Sequence, residues 1–539
     1  MAKKTASKIT NKISMLDRMI ANISPQKAVR REMARKQLSY LNSGYSHHGA
    51  NVNRKSVRDW DSESNSPNED INSNLSVLRS RSRDLYMGGA NIATGAIKTT
   101  RTNTIGSGLV LKPSIDNEFL KMTDQEAEKW EQSITREFEY FAASVNCDRF
   151  RLNNFYELQQ LAFLSMLLSG DVFVVLPYKP RQGFLYDLRI QIIEGDRIRT
   201  PSIRKKSDGE ADFAKGKITE TDMMDSRNIS EGVETKDGEI VAYYVFNKHP
   251  NSYDYDNSYK KVQAFGEKTG RRNILHLMES ERPNQTRGIP ILAPVIESLR
   301  QLGNYTKAEL TAAVVSGMFT VFISQEVPEL GLGEGIPEDE QIDPDNPHSY
   351  ELGYGSIVNL GMGEKPHTTT PGRPNVAFDG FVSSMSKQIG SALELPHELL
   401  LKEFTASYSA SRAALLEAWK MFRMRRKWFA NDFCQPIYEE WLTEAVAKGR
   451  IYAPGFFDDP IIKAAYCKAE WHGPSQGQID PLREVTAAIR RIDAEISTRE
   501  REAAEMTGTD YNVNHRQRIK EEQGRIELHD ILRKQEGGE

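Results

Sequence analysis

At 539 residues the chain is too long for one hydrophobic core and implies about two to four domains. Charged residues make up 27% and the formal net charge is -4, which does not mark a dedicated nucleic-acid binder, usually basic overall. Three cysteines, Cys147, Cys434 and Cys467, are odd in number and far apart. That excludes a disulfide scaffold and any CxxC metal site, and it fits a reducing compartment.

Residues 1–60 hold 13 Lys/Arg against 3 Asp/Glu. Ile9, Ile13, Leu16, Ile20 and Ile23 recur at helical spacing, which predicts an amphipathic basic helix. Ser24-Pro25 starts a second helix, running to about Leu41. Residues 42–74 are rich in Asn, Ser and Gly and read as a loop or extended arm. Residues 75–86, LSVLRSRSRDLY, form a helix that Gly88-Gly89 ends. Another runs from Ile92 to about Thr100, then TIGSGLVLKP gives a turn and a strand.

Residues 124–144 read as a helix with Trp130, Phe138 and Phe141 inward. Residues 155–169 form a second, with Leu158, Leu161, Leu164/Ser165 and Leu168 on one face and Gly170 closing it. DVFVVLPY (171–178) and LRIQIIE (188–194) are adjacent strands. Lys236-Asp237-Gly238 is a hairpin turn, and RNILHLME (272–279) a further strand. Residues 100–280 thus read as α+β with a largely antiparallel sheet. The polar stretch 203–227 is an inserted loop.

Pro290 suits a helix start. A helix over 290–317 would be about 40 Å long, with Leu292, Val295/Ile296, Leu299, Leu302 and Leu310 on one face. The longest near-apolar run, residues 310–323, is too short to span a bilayer, and no signal-peptide pattern is visible. Two strand candidates, MFTVFIS and GSIVNL, flank an acidic, proline-rich excursion over 328–374. A second helix follows over 375–393. A longer one starts near Tyr408, with Leu415, Trp419, Phe422, Phe429 and Phe433 as a buried stripe and Lys420, Arg423, Arg425, Arg426 and Lys427 on its other sides. Pro436 should kink or break it. Residues 450–474 read as irregular. Beyond Pro481 the chain is helical and highly charged, with a break at Gly508.

Chemistry-bearing patterns are scarce. Glu194 and Asp196 in IIEGDRIR are the nearest approach to a nuclease metal site, but the ExK partner is missing, and a strand-end turn is the plainer reading. There is no GxSxG elbow and no Walker motif. His47-His48, His276 and His472 lack companions. So long a chain without a recognisable site favours a structural or conduit role over an enzyme, and no cofactor is expected.

Several segments together resemble one family, the lambda-type portal proteins of tailed bacteriophages. They are residues 74–113, beginning NLSVLRSRSRDLY; FYELQQLAFLSMLLSGDVFVVL (155–176); HLMESERPNQTRGIPILAPVI (276–296); ASYSASRAALLEAWKMFRMRRKWFANDFCQPIYEEWL (406–442); and residues 479–510. The motif residues are Arg79, Arg81, Arg83 and Asp84; Arg282, Pro283, Gln285, Arg287 and Gly288; and Ser411, Arg412 and Glu417, all expected in structural roles. The resemblance implies an α+β, mainly α, portal fold assembled as a dodecameric ring around a central channel. Mapped here, 1–74 is a basic arm, 75–285 the wing, 286–320 the first stem helix and 321–374 the clip. The second stem helix is 375–394, the tunnel loop 395–408, the long helix and return to the wing 409–474, and the crown 475–539.

The implied partners are the major capsid protein and scaffold, the terminase large subunit, head–tail connector proteins, and double-stranded DNA held without sequence preference in the lumen. The implied location is the virion portal vertex, with host cytoplasm during assembly. No membrane is expected. A conduit must pass DNA without gripping it, because each phosphate contact adds affinity by counterion release. Ring symmetry multiplies every lysine into a belt of charge. A hydroxyl-rich lining is therefore expected, and SSMSKQIGS (383–391) fits. Lys387, Lys402, Ser407 and Tyr408 are the candidate channel-lining residues. Two alternatives stay open: a metal-dependent nuclease of the packaging machinery, and a helical scaffold without a pore.

Overall fold

Caps and turns set the element boundaries in the computed structural model, which describes residues 64–201, 229–318, 377–405, 407–477 and 480–536. Short pieces at 20, 24–27, 29–31, 33–34, 204–205, 211–212, 323–324 and 359–360 are also described. The chain divides into two units, Met1–Ser66 and Pro67–Glu539. In the first, residues 25–27 and 29–31 are helical directly after Ser24, as Ser24-Pro25 predicts. The remainder of the expected basic helices, the excursion over 328–374 apart from 359–360, and most of 203–227 lie outside the described residues.

The second unit begins earlier than its polarity suggests. Within the expected loop 42–74, Pro67–Asn72 is helical (α1), with Ile71 buried. Leu75–Asp84 (α2) passes through a π turn, Leu85–Gly89, into Asn91–Thr104 (α3). Val110–Pro113 (β1) follows. Reciprocal capping boxes, Thr123 with Glu126 and Asn154 with Glu157, start Asp124–Ala142 (α4) and Phe155–Ser169 (α5) by satisfying orphan N–H groups. Phe138 and Phe141 are buried as expected.

The face of α5 differs from the expected one. Leu158, Ala162, Phe163 and Leu167 are buried, while Leu161 is 41% exposed. The helix is apolar on most sides, so periodicity alone cannot choose. Gln159 fixes the rotation: its amide accepts from the Leu109 N–H at 2.6 Å and donates to the Leu109 carbonyl at 3.1 Å.

Asp171–Val175 (β2) and Gln191–Glu194 (β3) pair antiparallel, as read from sequence. Val233–Lys236 (β4) and Glu239–Phe246 (β5) form the expected hairpin, with Asp237 and Gly238 both at positive φ as a type I′ turn requires. Tyr259–Gln263 (β6) extends that sheet, and Ile274–Met278 (β7) pairs with the other side of β2. The two larger sheets among the described residues are both antiparallel, β7-β2-β3 and the one built on β4-β5-β6. Phe173, Ile193, Val233, Tyr243 and Ile274 form a small core of their own.

The helix expected from Pro290 starts later. Ala293–Val295 is a 3-10 turn, and the helix proper is Ile296–Met318 (α6). At 23 residues it is about 35 Å long. Phe378–Ala392 (α7) returns, and Tyr305 packs on Phe378 and Phe381 at its start, with centroids 5.7 and 4.6 Å apart. Beyond the far end of α6, Ile323–Ser324 pairs parallel with Asn359–Leu360. His397–Leu401 makes a short helical turn with Leu400 buried.

Tyr408–Phe429 (α8) carries the expected stripe: Trp419, Phe422, Phe429 and Phe433 are buried, and Leu415 partly so. Pro436 does not break the helix. The chain passes through a π turn, Ala430–Cys434, into Gln435–Ala447 (α9), where Pro436 sits in the first turn and its missing N–H is no loss. Phe138 meets Phe155, Tyr438 and Trp441 edge-on at 5.5, 5.7 and 5.0 Å, joining α4, α5 and α9 into the main core.

Residues 450–474 are not irregular. Asp459 caps Pro460–Cys467 (α10), and Ala469–His472 (β8) pairs with β1. Pro481–Asp493 (α11), Arg499–Thr507 (α12) and Tyr511–Glu536 (α13) complete the chain, with Gly508 at φ 71° ending α12 as expected. All three cysteines are free and buried. Among the described residues no helix is long and apolar enough to cross a membrane.

Candidate functional site

The motif residues do not gather in one place. One group converges around Asp171, where α2, β2 and the loop leading into α6 meet. This residue opens β2 just after Gly170, and its side chain is fully buried. Arg287 approaches from the RPNQTRG loop and donates Nε to Asp171 Oδ2 at 2.6 Å. Its other nitrogens donate to the carbonyls of Ile198, Glu231 and Gly195, at 2.9, 2.6 and 2.8 Å. Arg79 comes from α2. It donates Nη2 to Asp171 Oδ1 at 2.6 Å and Nε to the Ser169 carbonyl at 2.9 Å. The Gly288 N–H adds a further bond to Oδ2, at 3.2 Å.

Burial alone would raise the Asp171 carboxyl. Arg287 and Arg79 override it and hold the group well below the usual carboxylate range. His276 closes the cluster from β7, with its Nε2 3.6 Å from Asp171 Oδ2 and its ring stacked 4.2 Å from Phe173. Burial pushes this imidazole below its ordinary value, although Asp171 pulls the other way.

The backbones at this junction touch. A Cβ on Gly288 would lie 2.0 Å from the Gly170 carbonyl oxygen, and one on Gly170 would lie 2.4 Å from the Gly288 oxygen. Glycine is required at both positions, and at Gly170 a φ of 86° requires it again. The rest of the loop is held from α1. Thr286 donates its N–H and hydroxyl to Asn68 at 3.0 and 2.8 Å, and Arg282 pairs with Asp70 at 2.6 Å. Gln285 accepts from the Glu281 and Arg282 N–H groups and donates to the Arg287 carbonyl. Pro283 is exposed in the same turn.

The arginines of α2 divide by helical geometry. Arg79 and Arg83, four apart, share the inward face. Arg81 and Asp84 are exposed. Arg83 donates to the Ser169 hydroxyl at 2.8 Å, pairs with Glu194 at 3.1 Å and bonds Asp196. Among the described residues, Glu194, Asp196 and His249 are the one set whose ligand atoms are close enough for a metal ion. Arg83 already supplies positive charge to both carboxylates, so the set is accounted for as an ion-pair cluster at a strand end.

A second group lies along α7, α8 and the turn between them. Lys387, Lys402, Ser407 and Tyr408 are all exposed. Lys387 and Glu417 line one surface cleft of about 600 Å³ with Lys420, Met421 and Met424. Lys402 sits at φ 57° after His397–Leu401. The Arg412 guanidinium donates to the Tyr408 hydroxyl at 3.1 Å and to Glu484 at 3.0 Å. Ser411 is buried. Two basic residues of α8 face inward: Arg425 bonds Glu279 at 2.8 Å, and Arg426 donates to the carbonyls of Thr104, Asn103 and Pro474. The last turn of α3 thus gains a cation where its dipole favours one.

The fold thus sets a buried charge hub at the foot of the long helix α6, where α2, β2 and the 282–288 loop are tied together. The chain belongs to the lambda family of phage portal proteins, whose family model matches residues 53–426. It is 24% identical over 500 residues to portal protein B of Escherichia phage lambda, covering 89% of each chain. It is 23% identical over 486 residues to the portal protein of Escherichia phage N15, covering 86% of this chain and 87% of that one. A chain from the neck of a native gene transfer agent particle covers 78% of this chain and 92% of its own, at 13% identity and a TM-score of 0.35. Family membership implies a structural rather than a catalytic role.

Proposed function

We propose that twelve copies of this chain form the ring at one capsid vertex through which DNA enters and leaves. In this reading the ring nucleates procapsid assembly, docks the terminase large subunit, retains the genome and later binds head–tail connector proteins. Residues 75–285 act as wing, α6 and α7 as stem, residues 321–374 as clip and 475–539 as crown. Lys387, Lys402, Ser407 and Tyr408 face the lumen.

The observation that carries this is the contrast along α6. Its root is core, with Leu292, Val295, Leu299 and Leu302 at most 5% exposed. Its outer half is not: Leu310 is 67% exposed, Val314 39%, and Phe381 on α7 44%. A helix pair whose outer half is apolar and uncovered among the described residues is what subunit packing around a channel would use. The four lumen candidates are all exposed, and two of them, Ser407 and Tyr408, offer hydroxyls rather than charge. Electron microscopy of the purified full-length protein tests the reading. Rings with a central hole are expected, and uniformly monomeric or solid particles overturn it. High-resolution maps with Lys387 or Lys402 sealed between subunits would remove the lumen assignment alone.

A further inference from the structure

The C-terminal helix α11 is inverted. Its inward side is polar: Glu484 meets Arg412 at 3.0 Å, and Arg491 bonds Glu502 at 2.8 and 2.6 Å. Ala488 is its one buried residue. Its apolar residues point away from the chain, with Leu482 79%, Val485 43% and Ile489 52% exposed, at spacings of three and four. Beyond the end of the helix, Ile496 is also 73% exposed. A soluble chain does not keep such a stripe on a capped, ion-paired helix unless something covers it.

The second outward face is on α13. Its Arg516, Gln517 and Lys520 line a cleft against the wing. Ile519 and Ile526, seven residues apart, are 44% and 60% exposed on another side. Glu522 lies between them, one turn from each. On α11, exposed Arg490 adjoins Ile489.

We infer that in the assembled ring the α11 stripe of one subunit packs on the Ile519–Ile526 face of the next subunit's α13, with Arg490 opposite Glu522. The inference rests on the ring reading above and names a contact within it. The occupant is a second copy because both faces are apolar, and Glu522, paired on its own helix with Arg525 at 3.1 Å, is still 42% exposed and open to Arg490 as a second cation. Head-to-tail docking covers both faces and repeats around a ring. A two-fold pairing of α11 with itself would set Arg490 against Arg490 and leave α13 bare.

Two variants of the full-length chain test this. Val485→Asp with Ile489→Asp puts charge on the stripe without touching a buried group. The expected result is loss of rings to monomers by light scattering, with the wild-type melting temperature retained. Ile489→Cys with Ile526→Cys, oxidised in the assembled state, should give a ladder of cross-linked species on denaturing gels. Wild-type rings together with intact variant rings and no ladder overturn the inference and leave the portal reading standing, the stripe then being covered by another protein. No rings from the wild type overturn both. If the Asp variant fails to fold, the ladder alone decides.

Discussion

Asp171 keeps its charge where burial would ordinarily remove it, because two guanidiniums and a backbone N–H share it. Replacing it with alanine leaves Arg79 and Arg287 buried and uncompensated, which should cost about 3–5 kcal/mol in urea denaturation. The cluster also sets a pH response. Asp171 has a depressed pKa, so its contribution is complete above the ordinary carboxylate range and is lost only in strong acid. His276 is a base held below its ordinary value of 6.5, so the unfolded chain binds its proton more readily than the folded one. Stability from His276 is therefore full above pH 6.5 and falls as pH drops below it. The melting temperature should decline from pH 7 to pH 5 in the wild type, and less in His276→Gln; equal slopes would exclude His276 as the cause. The sequence reading singled out Arg79, Arg287 and Gly288 but not Asp171. The missed signal is an acid opening the otherwise apolar run Val172–Leu176, since such an acid needs a cation and the two motif arginines were available.

Helix α6 is one element with two environments. Leu310→Asp should leave the stability of the isolated chain within about 0.5 kcal/mol of wild type, as at other exposed sites. The same change should abolish rings by electron microscopy. Intact rings would show that the outer half of α6 faces solvent. The existence of α6, α7 and α8 was legible because their apolar periodicity is long. Their ends were less so: Pro290 satisfies the rule for a helix start, yet a 3-10 turn intervenes, and Pro436 satisfies the rule for a break, yet a π turn carries the helix through it. Arg425 and Arg426 read as ordinary outward cations, because nothing in α8 itself reveals the carboxylate and carbonyls that wait for them on β7, α3 and Pro474.

At the scale of the whole molecule, two kinds of cohesion coexist. The elements from α2 to α10 are held by an aromatic core, whereas the C-terminal helices are held by ion pairs such as Lys112 with Glu500 and Arg412 with Glu484. Ala488 and Glu502 are the buried residues among the described parts of α11, α12 and α13. Exposed pairs are screened as salt rises, and apolar cores are not. In the monomeric Leu310→Asp chain, raising salt from about 0.1 to 1 M should therefore speed hydrogen exchange in α11–α13 while leaving α4 and α5 unchanged. Equal protection throughout would mean that the segment is packed, not latched. Pairing between distant segments, β1 with β8 above all, was not legible, because local periodicity identifies a strand and not its partner.

The back-to-back contact of Gly170 and Gly288 has a mechanical meaning. With backbones touching and one carboxylate shared by α2, β2 and the loop that leads into α6, the foot of α6 is tied directly to the sheet β7-β2-β3. A bend in α6 is therefore expected in its exposed span, around Leu310 and Val314, rather than at its foot.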